Sequence, residues 1–370
     1  MKRLLCIVGC MNAGGAETFL MKIYRELDKT KYQMDFAVAV QEKGFYDDEI
    51  ISMGGKIYHI TPKSDGVMKN FNSIKRLVSE ERYQYVLRTS QHSLSALELF
   101  SAWLGGARTR VFRSSNSNTT TGKGMDLKLH KLCMFMPKLF ANVRIAPSTE
   151  AAEFMFGRKS IINGNASIIH NGIKLSDYKY NISNREDVRH EFKINDSFVV
   201  GHIGRFNQQK NHKKLIGIFA ELKKQIPTSI LMLVGKGELE KELKMLIGNL
   251  GLEDSVIFTG VRDDIPRLLS AMDVFVFPSL YEGMPNTVIE AQASGLPCYI
   301  SDSITKEANI TGNVIYLSNN DYDSKWASTI VNSKMHDKLH DRGKYIDIMK
   351  SKGYDIEDTT KEFVSRIYDI

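Results

Sequence analysis

The feature that most restricts this chain is an alternation that runs through its whole length. Short apolar runs rich in β-branched residues are separated by longer segments of helical period. In the first half the runs are RLLCIVG (3–9), MDFAVAV (34–40), KIYHI (56–60), YVLRT (85–89), TRVFRS (109–114) and VRIAPS (143–148). A second series follows at FVVGHIG (198–204), SILMLVG (229–235), SVIFTG (255–260), DVFVFPS (273–279) and PCYIS (297–301). Strands alternating with helical segments predict a parallel sheet wrapped by helices, and two series predict two such α/β domains. Between them, LSDYKYNISNREDVRHEFKI loses strand character, so residues 173–196 read as a connector with a short helix between domains at 1–172 and 197–356.

At 370 residues each half can bury its own core. Four cysteines, Cys6, Cys10, Cys133 and Cys298, are too few and too scattered for a disulfide framework, which suits a reducing, cytoplasmic compartment. Cys6 and Cys10 have no histidine or second cysteine pair nearby to complete a zinc site. The opening MKRLLCIVGCMNAGG leads straight into a glycine loop, so its short apolar run reads as the first strand rather than a leader. No run of about eighteen apolar residues occurs, and no membrane-spanning helix is expected. No repeat and no nucleic-acid-binding module is present. Charge is lopsided: residues 1–170 carry 24 Lys and Arg against 15 Asp and Glu, the remainder 26 against 28. The first half thus suits an anionic partner such as a membrane surface or a phosphate-bearing substrate, or else is a generally solvated surface.

Two loops carry anion-binding chemistry. Gly9-Cys10-Met11-Asn12-Ala13-Gly14-Gly15-Ala16-Glu17 joins the first strand to a helix; bare glycines at a helix start let backbone N–H groups approach phosphate oxygens. Met11 stands where a dinucleotide fingerprint needs glycine, and Gly15-Ala16 where a Walker loop needs Lys-Ser/Thr, so NAD and ATPase readings fail here. A tight turn without a ligand is the alternative. In the second loop, Gly204-Arg205-Phe206-Asn207-Gln208-Gln209-Lys210, Arg205 and Lys210 are spaced to converge on one anion, or else make exposed ion pairs.

The richest stretch is LYEGMPNTVIEAQASGLP (280–297). Pro285 fits the first turn of a helix, leaving the amides of Asn286 and Thr287 pointing out of its N-terminus. Glu282 then lies in the preceding loop and Glu290 about one turn inside the helix, among Val288, Ile289, Ala291 and Ala293. A carboxylate in such surroundings needs a partner, and a sugar hydroxyl would serve.

The pattern E-G-x-P…E-A-x-A-x-G-x-P, with Glu282 and Glu290 as an E-x7-E pair, resembles the retaining glycosyltransferase family 4. So do Gly14-Gly15, I-I-H-N-G-I (168–173), G-R-F-N-x-x-K-N (204–211) and L-V-G-K-G (233–237), in the family's order. The run from Asp273 to Pro297 is similar to bacterial exopolysaccharide and capsule transferases. The resemblance implies a GT-B fold: an N-terminal Rossmann-like acceptor domain, completed by a C-terminal helix at about 357–370, and a C-terminal Rossmann-like donor domain facing it across a cleft. It implies transfer of a hexose or N-acetylhexosamine from a nucleotide-sugar, a UDP-sugar, to a lipid-linked or oligosaccharide acceptor. Carried over by position, Arg205 and Lys210 hold the pyrophosphate, with the Asn286 and Thr287 amides. Glu290 binds the ribose and Glu282 faces the donor sugar. Gly204, Gly283, Met284 and Pro285 line the donor, Val261 and Arg262 lie by the base, and Gly14 and Gly15 approach the diphosphate.

Preorganised cations and amides can stabilise the leaving nucleoside diphosphate without a metal, so no cofactor is expected. Asp321-Tyr322-Asp323 has a metal-like spacing but stands in a polar loop without further oxygen ligands. Two departures from the family touch the acceptor side. Arg88-Thr89-Ser90 replaces an H-x-H pattern, with His92 as substitute catalytic histidine or as a satisfied loop residue; Arg113-Ser114-Ser115-Asn116 replaces H-S-H-N. The basic, apolar stretch 122–144 reads either as an interfacial helix at the inner face of the cell membrane or as a core helix with a solvated basic face. An epimerase of the same fold and a non-catalytic sugar-nucleotide-binding subunit are the competing functions.

Overall fold

The computed structural model describes residues 1–12, 14–115, 124–334 and 342–369, with the side chains of all but 124–126 and 334. They form two compact units, Met1–Ile173 with Gly353–Ile370, and Lys174–Lys352.

The first unit holds seven parallel strands: β1 (Lys2–Val8), β2 (Tyr32–Val38), β3 (Ile57–His59), β4 (Tyr85–Ser90), β5 (Thr109–Ser114), β6 (Val143–Ala146) and β7 (Ser167–Ile168). Their order is β3-β2-β1-β4-β5-β6-β7, so the direction of winding reverses between β1 and β4. Apolar side chains of β1 alternate between two cores. Leu4, Cys6 and Val8 join Phe19 and Phe36 on one face, while Leu5 and Ile7 join Val86 and Leu99 on the other. The C-terminal helix, Ile356–Tyr368, packs Phe363 edge-on to Phe19 within the first of these cores. Its approach explains Gly172, where a Cβ would collide with Thr359.

The second unit holds six parallel strands: β8 (Phe198–Ile203), β9 (Ser229–Val234), β10 (Val256–Gly260), β11 (Val274–Phe277), β12 (Cys298–Ser301) and β13 (Val314–Leu317). Their order, β10-β9-β8-β11-β12-β13, again reverses beside the first strand of the series.

Eleven of these strands coincide with the apolar runs, with small shifts at the ends. The largest is β2, which starts at Tyr32 because Tyr32 and Gln33 pair with Lys2 and Arg3, and the buried Gln33 donates its Nε2 to the Met53 carbonyl at 2.9 Å. β7 has two residues, too few to show a period, and β13 is an edge strand that leaves Ile315 exposed.

The stretch read as a connector is helical. Leu175–Tyr178 and Ile182–Glu191 cluster with the second unit. Arg185 and Arg189 both grip Asp273, at 2.5 and 2.7 Å, and cap the backbone carbonyls of 270–272.

Candidate functional site

In the second unit the chain leaves β8 through Gly204, and that turn is pressed against a neighbouring loop. Gly204 N donates to the Val234 carbonyl at 3.0 Å and Phe206 N to the Lys236 carbonyl at 2.9 Å. A Cβ on Gly235 would collide with the Gly204 carbonyl, and one on Gly237 with the Phe206 backbone, which is the physical content of L-V-G-K-G. Asn207 accepts the Lys210 amide at 3.1 Å, and Asn211 closes the turn in the left-handed region at φ 54°, which Asn tolerates. The turn is also stitched to the segment after β11. Asn211 Nδ2 donates to the Pro278 carbonyl, Leu280 N to the Gln209 carbonyl, and Gln209 Nε2 to the Tyr281 carbonyl, at 2.8–3.2 Å.

This stitching sets the ammonium of Lys210 2.7 Å from Glu282 Oε1 and 4.6 Å from the centre of the Phe277 ring. Both side chains of the pair are largely buried. Beneath it lie His202 and His212, edge to face at 4.6 Å. His202 Nδ1 donates to the Val276 carbonyl at 2.9 Å. Burial, helped by the other histidine and by Lys210, pushes His202 well below the usual histidine range; burial and Lys210 push His212 down to about 4. Both rings are thus neutral at pH 7, and Lys210 is the charged group of this floor.

Arg205 is placed differently from expectation. Its guanidinium stands in solvent, paired with Glu238 at 3.2 Å, so Arg205 and Lys210 have separate partners rather than one. The reason is side-chain length at an exposed turn: the nearest carboxylate across the loop captures it, at little gain in stability.

The helix Asn286–Ala293 starts as the motif predicts, but Pro285 is its N-cap rather than a first-turn residue, and its carbonyl accepts the Val288 and Ile289 amides at 3.1 and 3.2 Å. Asn286 and Thr287 are the first two helical residues, directly after buried Gly283, Met284 and Pro285. Glu290 is 8% exposed, one turn in. It has a protein partner: Tyr178, from the short helix in the supposed connector, donates its hydroxyl to Glu290, and burial together with that carboxylate raises the phenol well above its ordinary value. Tyr178 was not legible in the sequence, since nothing in an irregular stretch 112 residues upstream marks it as a partner.

After β10, Val261 is exposed, and Arg262 is held by a bidentate pair with Asp264 at 2.7 and 2.8 Å and by Glu191 at 3.2 Å. Asp321 and Asp323 pair with different lysines, Lys325 and Lys214, at 2.9 and 2.7 Å. Among the described residues, no group of three or more His, Cys, Asp and Glu is arranged to hold a metal ion.

In the first unit, Gly14 caps the helix Gly15–Glu26 without a side-chain hydrogen bond, and the carboxylate of Glu17 folds back over it. His92 follows β4 and caps a short turn, its Nδ1 accepting the Leu94 amide at 3.1 Å. Arg88 and Arg113, which replace the expected histidine patterns, are internal: Arg88 pairs with Glu98, and Arg113 donates to Asn171 at 2.7 Å. Asn116 lies outside the described residues. The stretch 122–144, where described, forms two helices rather than one, Gly124–Leu132 and Phe135–Phe140, and exposes Leu132, Phe135 and Leu139 beside Lys128, Lys131 and Lys138. No helix among the described residues is long and apolar enough to cross a membrane.

Two Rossmann-like units, with an E-x7-E helix and a Gly-Arg…Lys turn brought together at the strand ends of the second, define the class: a GT-B glycosyltransferase. Comparison with known proteins agrees. The family described as "Glycosyl transferases group 1" matches residues 184–337. The protein of Bacillus subtilis named "Putative glycosyltransferase EpsF" is 34% identical over 334 residues, 89% of this chain and 87% of its own. The Escherichia coli "UDP-Gal:alpha-D-GlcNAc-diphosphoundecaprenol alpha-1,3-galactosyltransferase" is 32% identical over 68% of this chain and 64% of its own. The crystal structure of Anabaena HepE in complex with UDP covers all of both chains at a TM-score of 0.78 and 19% identity. The chain belongs to the group 1 glycosyltransferases.

Proposed function

We propose that the chain transfers a sugar from a UDP-sugar, with retention of configuration, to a lipid-linked or oligosaccharide acceptor in surface polysaccharide biosynthesis. One observation carries the reading: Lys210, paired with Glu282, stands next to the start of a helix that also bears Glu290. In this reading the Lys210 ammonium and the Asn286 and Thr287 amides receive the diphosphate, and Arg205 swings from Glu238 to join them. As the bond between sugar and phosphate breaks, negative charge grows on the leaving diphosphate, and these fixed donors stabilise it more than they stabilise the intact donor. Two cations and a helix start supply that stabilisation with no metal. Glu290 takes the ribose hydroxyls, with Tyr178 orienting it, while Glu282 faces the donor sugar beside the ammonium that Lys210 turns towards the phosphate. The base rests on the Gly260-Val261 backbone.

A UDP donor is supported by the E. coli relative, named for UDP-galactose, and by HepE, crystallised with UDP; the lipid-linked acceptor is supported by that relative's diphosphoundecaprenol substrate. The exposed Leu132, Phe135 and Leu139 with three neighbouring lysines suit contact with an anionic membrane surface, where such acceptors are found. The test is a release assay. The purified chain is given UDP-, GDP- and ADP-sugars with and without a membrane lipid extract, and free diphosphate and the sugar's fate are followed. Acceptor-dependent UDP release, abolished in Glu290→Ala, is expected. Epimer formation without extract would replace the transferase reading with that of an epimerase.

A further inference from the structure

A cavity of about 280 Å³ lies within the second unit, where Phe198 and Val274 begin β8 and β11. The Lys210 turn and the loop before Asn286–Ala293 leave the other ends of those two strands, so this space is separate from the donor site. Four cations line it, Arg185, Arg189, Arg342 and Lys344, against two carboxylates, Asp196 and Asp273. Arg189, Arg342 and Tyr299 are buried in its wall, while Asn195, Thr228 and Lys344 are exposed.

Helix capping explains part of this cluster. Arg185 donates to the carbonyls of 270–272, Arg189 to that of Ala271, and Arg342 to those of Leu269, Ser270 and Met272, all at the end of the helix Ile265–Ala271. Capping leaves the charge uncompensated. Arg185 and Arg189 share the one carboxylate of Asp273, and Arg342, 7% exposed, makes no ion pair among the described residues. Arg185 Nη1 and Arg342 Nη1 each lie 3.1 Å from the same Met272 carbonyl, which holds two like charges close together. An anion in the cavity would relieve that repulsion. Arg342 also reaches the donor helix. Its Nε donates to the Ser294 carbonyl at 2.8 Å, where Asn286–Ala293 ends, and its backbone packs so closely that a Cβ on Gly295 would collide with it. Ser294 Oγ donates to the Tyr178 carbonyl at 3.0 Å, and the Tyr178 hydroxyl donates to Glu290.

We infer that this cavity binds a small phosphate-bearing anion, of the size of a sugar phosphate, on Arg342 and Lys344, and that its occupancy tightens UDP binding through Ser294 and Tyr178. A phosphomonoester carries about −1.5 to −2 charges at pH 7, which matches the two positive charges in excess along the lining. Guanidinium and ammonium groups together suit phosphate oxygens. The volume is at the lower end for small-molecule sites, which favours a ligand smaller than a nucleotide-sugar, and Asn195 and Thr228 offer partners to its hydroxyls. A bound anion stabilises the arrangement in which Arg342 holds Ser294, and with it the strut beneath Glu290. The binding site stands on the cavity alone; the effect on UDP rests on the donor-site reading above, and the test separates the two.

The full chain is titrated calorimetrically with glucose 6-phosphate, inorganic phosphate and glucose, and then with UDP in the presence and absence of saturating glucose 6-phosphate. Glucose 6-phosphate binds at least tenfold more tightly than inorganic phosphate, and glucose does not bind. In Lys344→Glu, a change at an exposed position, affinity for glucose 6-phosphate falls at least tenfold while UDP alone binds within twofold of wild type. Saturating glucose 6-phosphate tightens UDP binding at least threefold in wild type and leaves it unchanged in Lys344→Glu. Ser294→Ala, which removes the hydroxyl that reaches Tyr178, keeps glucose 6-phosphate affinity within twofold and loses the effect on UDP. Equal affinity for inorganic phosphate would keep the site and make free phosphate its occupant. Absence of binding by both phosphates, an affinity unchanged in Lys344→Glu, or weaker UDP binding when glucose 6-phosphate is added overturns the inference. A wild-type chain that binds no UDP overturns the donor-site reading, while the Lys344→Glu comparison still decides whether the cavity takes the anion.

Discussion

Replacing Tyr178 by Phe removes one hydroxyl and leaves its ring, and the contact it deletes is a hydrogen bond to a carboxylate that is 8% exposed. Hydrogen bonds to charged groups contribute about 1.5–3 kcal/mol, and a buried acceptor that loses its donor bears the full desolvation cost. A unit of this size loses roughly 2–4 °C of melting temperature per kcal/mol, so its transition should fall by roughly 3–12 °C. The same change should weaken UDP binding by about tenfold if 1.4 kcal/mol of the loss appears in a misdirected Glu290. A double-mutant cycle with Glu290→Ala isolates the pair, because each single change removes the hydrogen bond. A coupling of about 1–2 kcal/mol is expected by calorimetric melting and by UDP titration. A Tyr178→Phe chain with unchanged melting, and a coupling below about 0.5 kcal/mol, would refute the claim that this tyrosine holds Glu290.

Arg205→Ala removes an exposed ion pair, so stability should move by less than about 0.5 kcal/mol while UDP-sugar affinity falls several-fold; equal affinity by calorimetry would remove Arg205 from the donor site. Gly237→Ala drives a Cβ into the Phe206 backbone and should cost about 2 kcal/mol or more, read as a lower urea midpoint, with loss of UDP binding as the Lys210 turn is displaced. His212 is neutral in the fold and lowered to about 4 by burial first and Lys210 second. The unfolded chain takes up its proton below about 6.5, so the histidine costs stability progressively as pH falls from 6.5 to 4, by up to about 3 kcal/mol, and no further below that. His212→Phe should flatten that window in pH-dependent urea melts. Changing Leu132, Phe135 and Leu139 together to Ser should lower co-sedimentation with anionic phospholipid vesicles at least several-fold, without altering UDP affinity.

Strand runs, both glycine turns and the E-x7-E helix were legible because each depends on residues adjacent in the chain. Continuous apolar runs betray strands buried on both faces, and glycine, proline and acidic residues at fixed spacing mark a turn and a helix start. The two strands that the runs did not show, β7 and β13, are short or at an edge, where burial leaves little pattern. The tertiary structure decided which charges meet. Lys210 and Glu282 are 72 residues apart, and a backbone stitched by Gln209 and Asn211 brings them to 2.7 Å, while Arg205 on the same turn goes to Glu238. Glu290 needed a partner on chemical grounds alone, yet only the packing of a helix from the supposed connector supplied Tyr178. Likewise Arg113 read as a departure from a family pattern until the fold placed it buried against the Phe19 ring, donating to Asn171. Local periodicity reports which face of an element is apolar; the pairing of polar groups depends on distances across elements, and only the assembled sheet, with its order of strands, sets those.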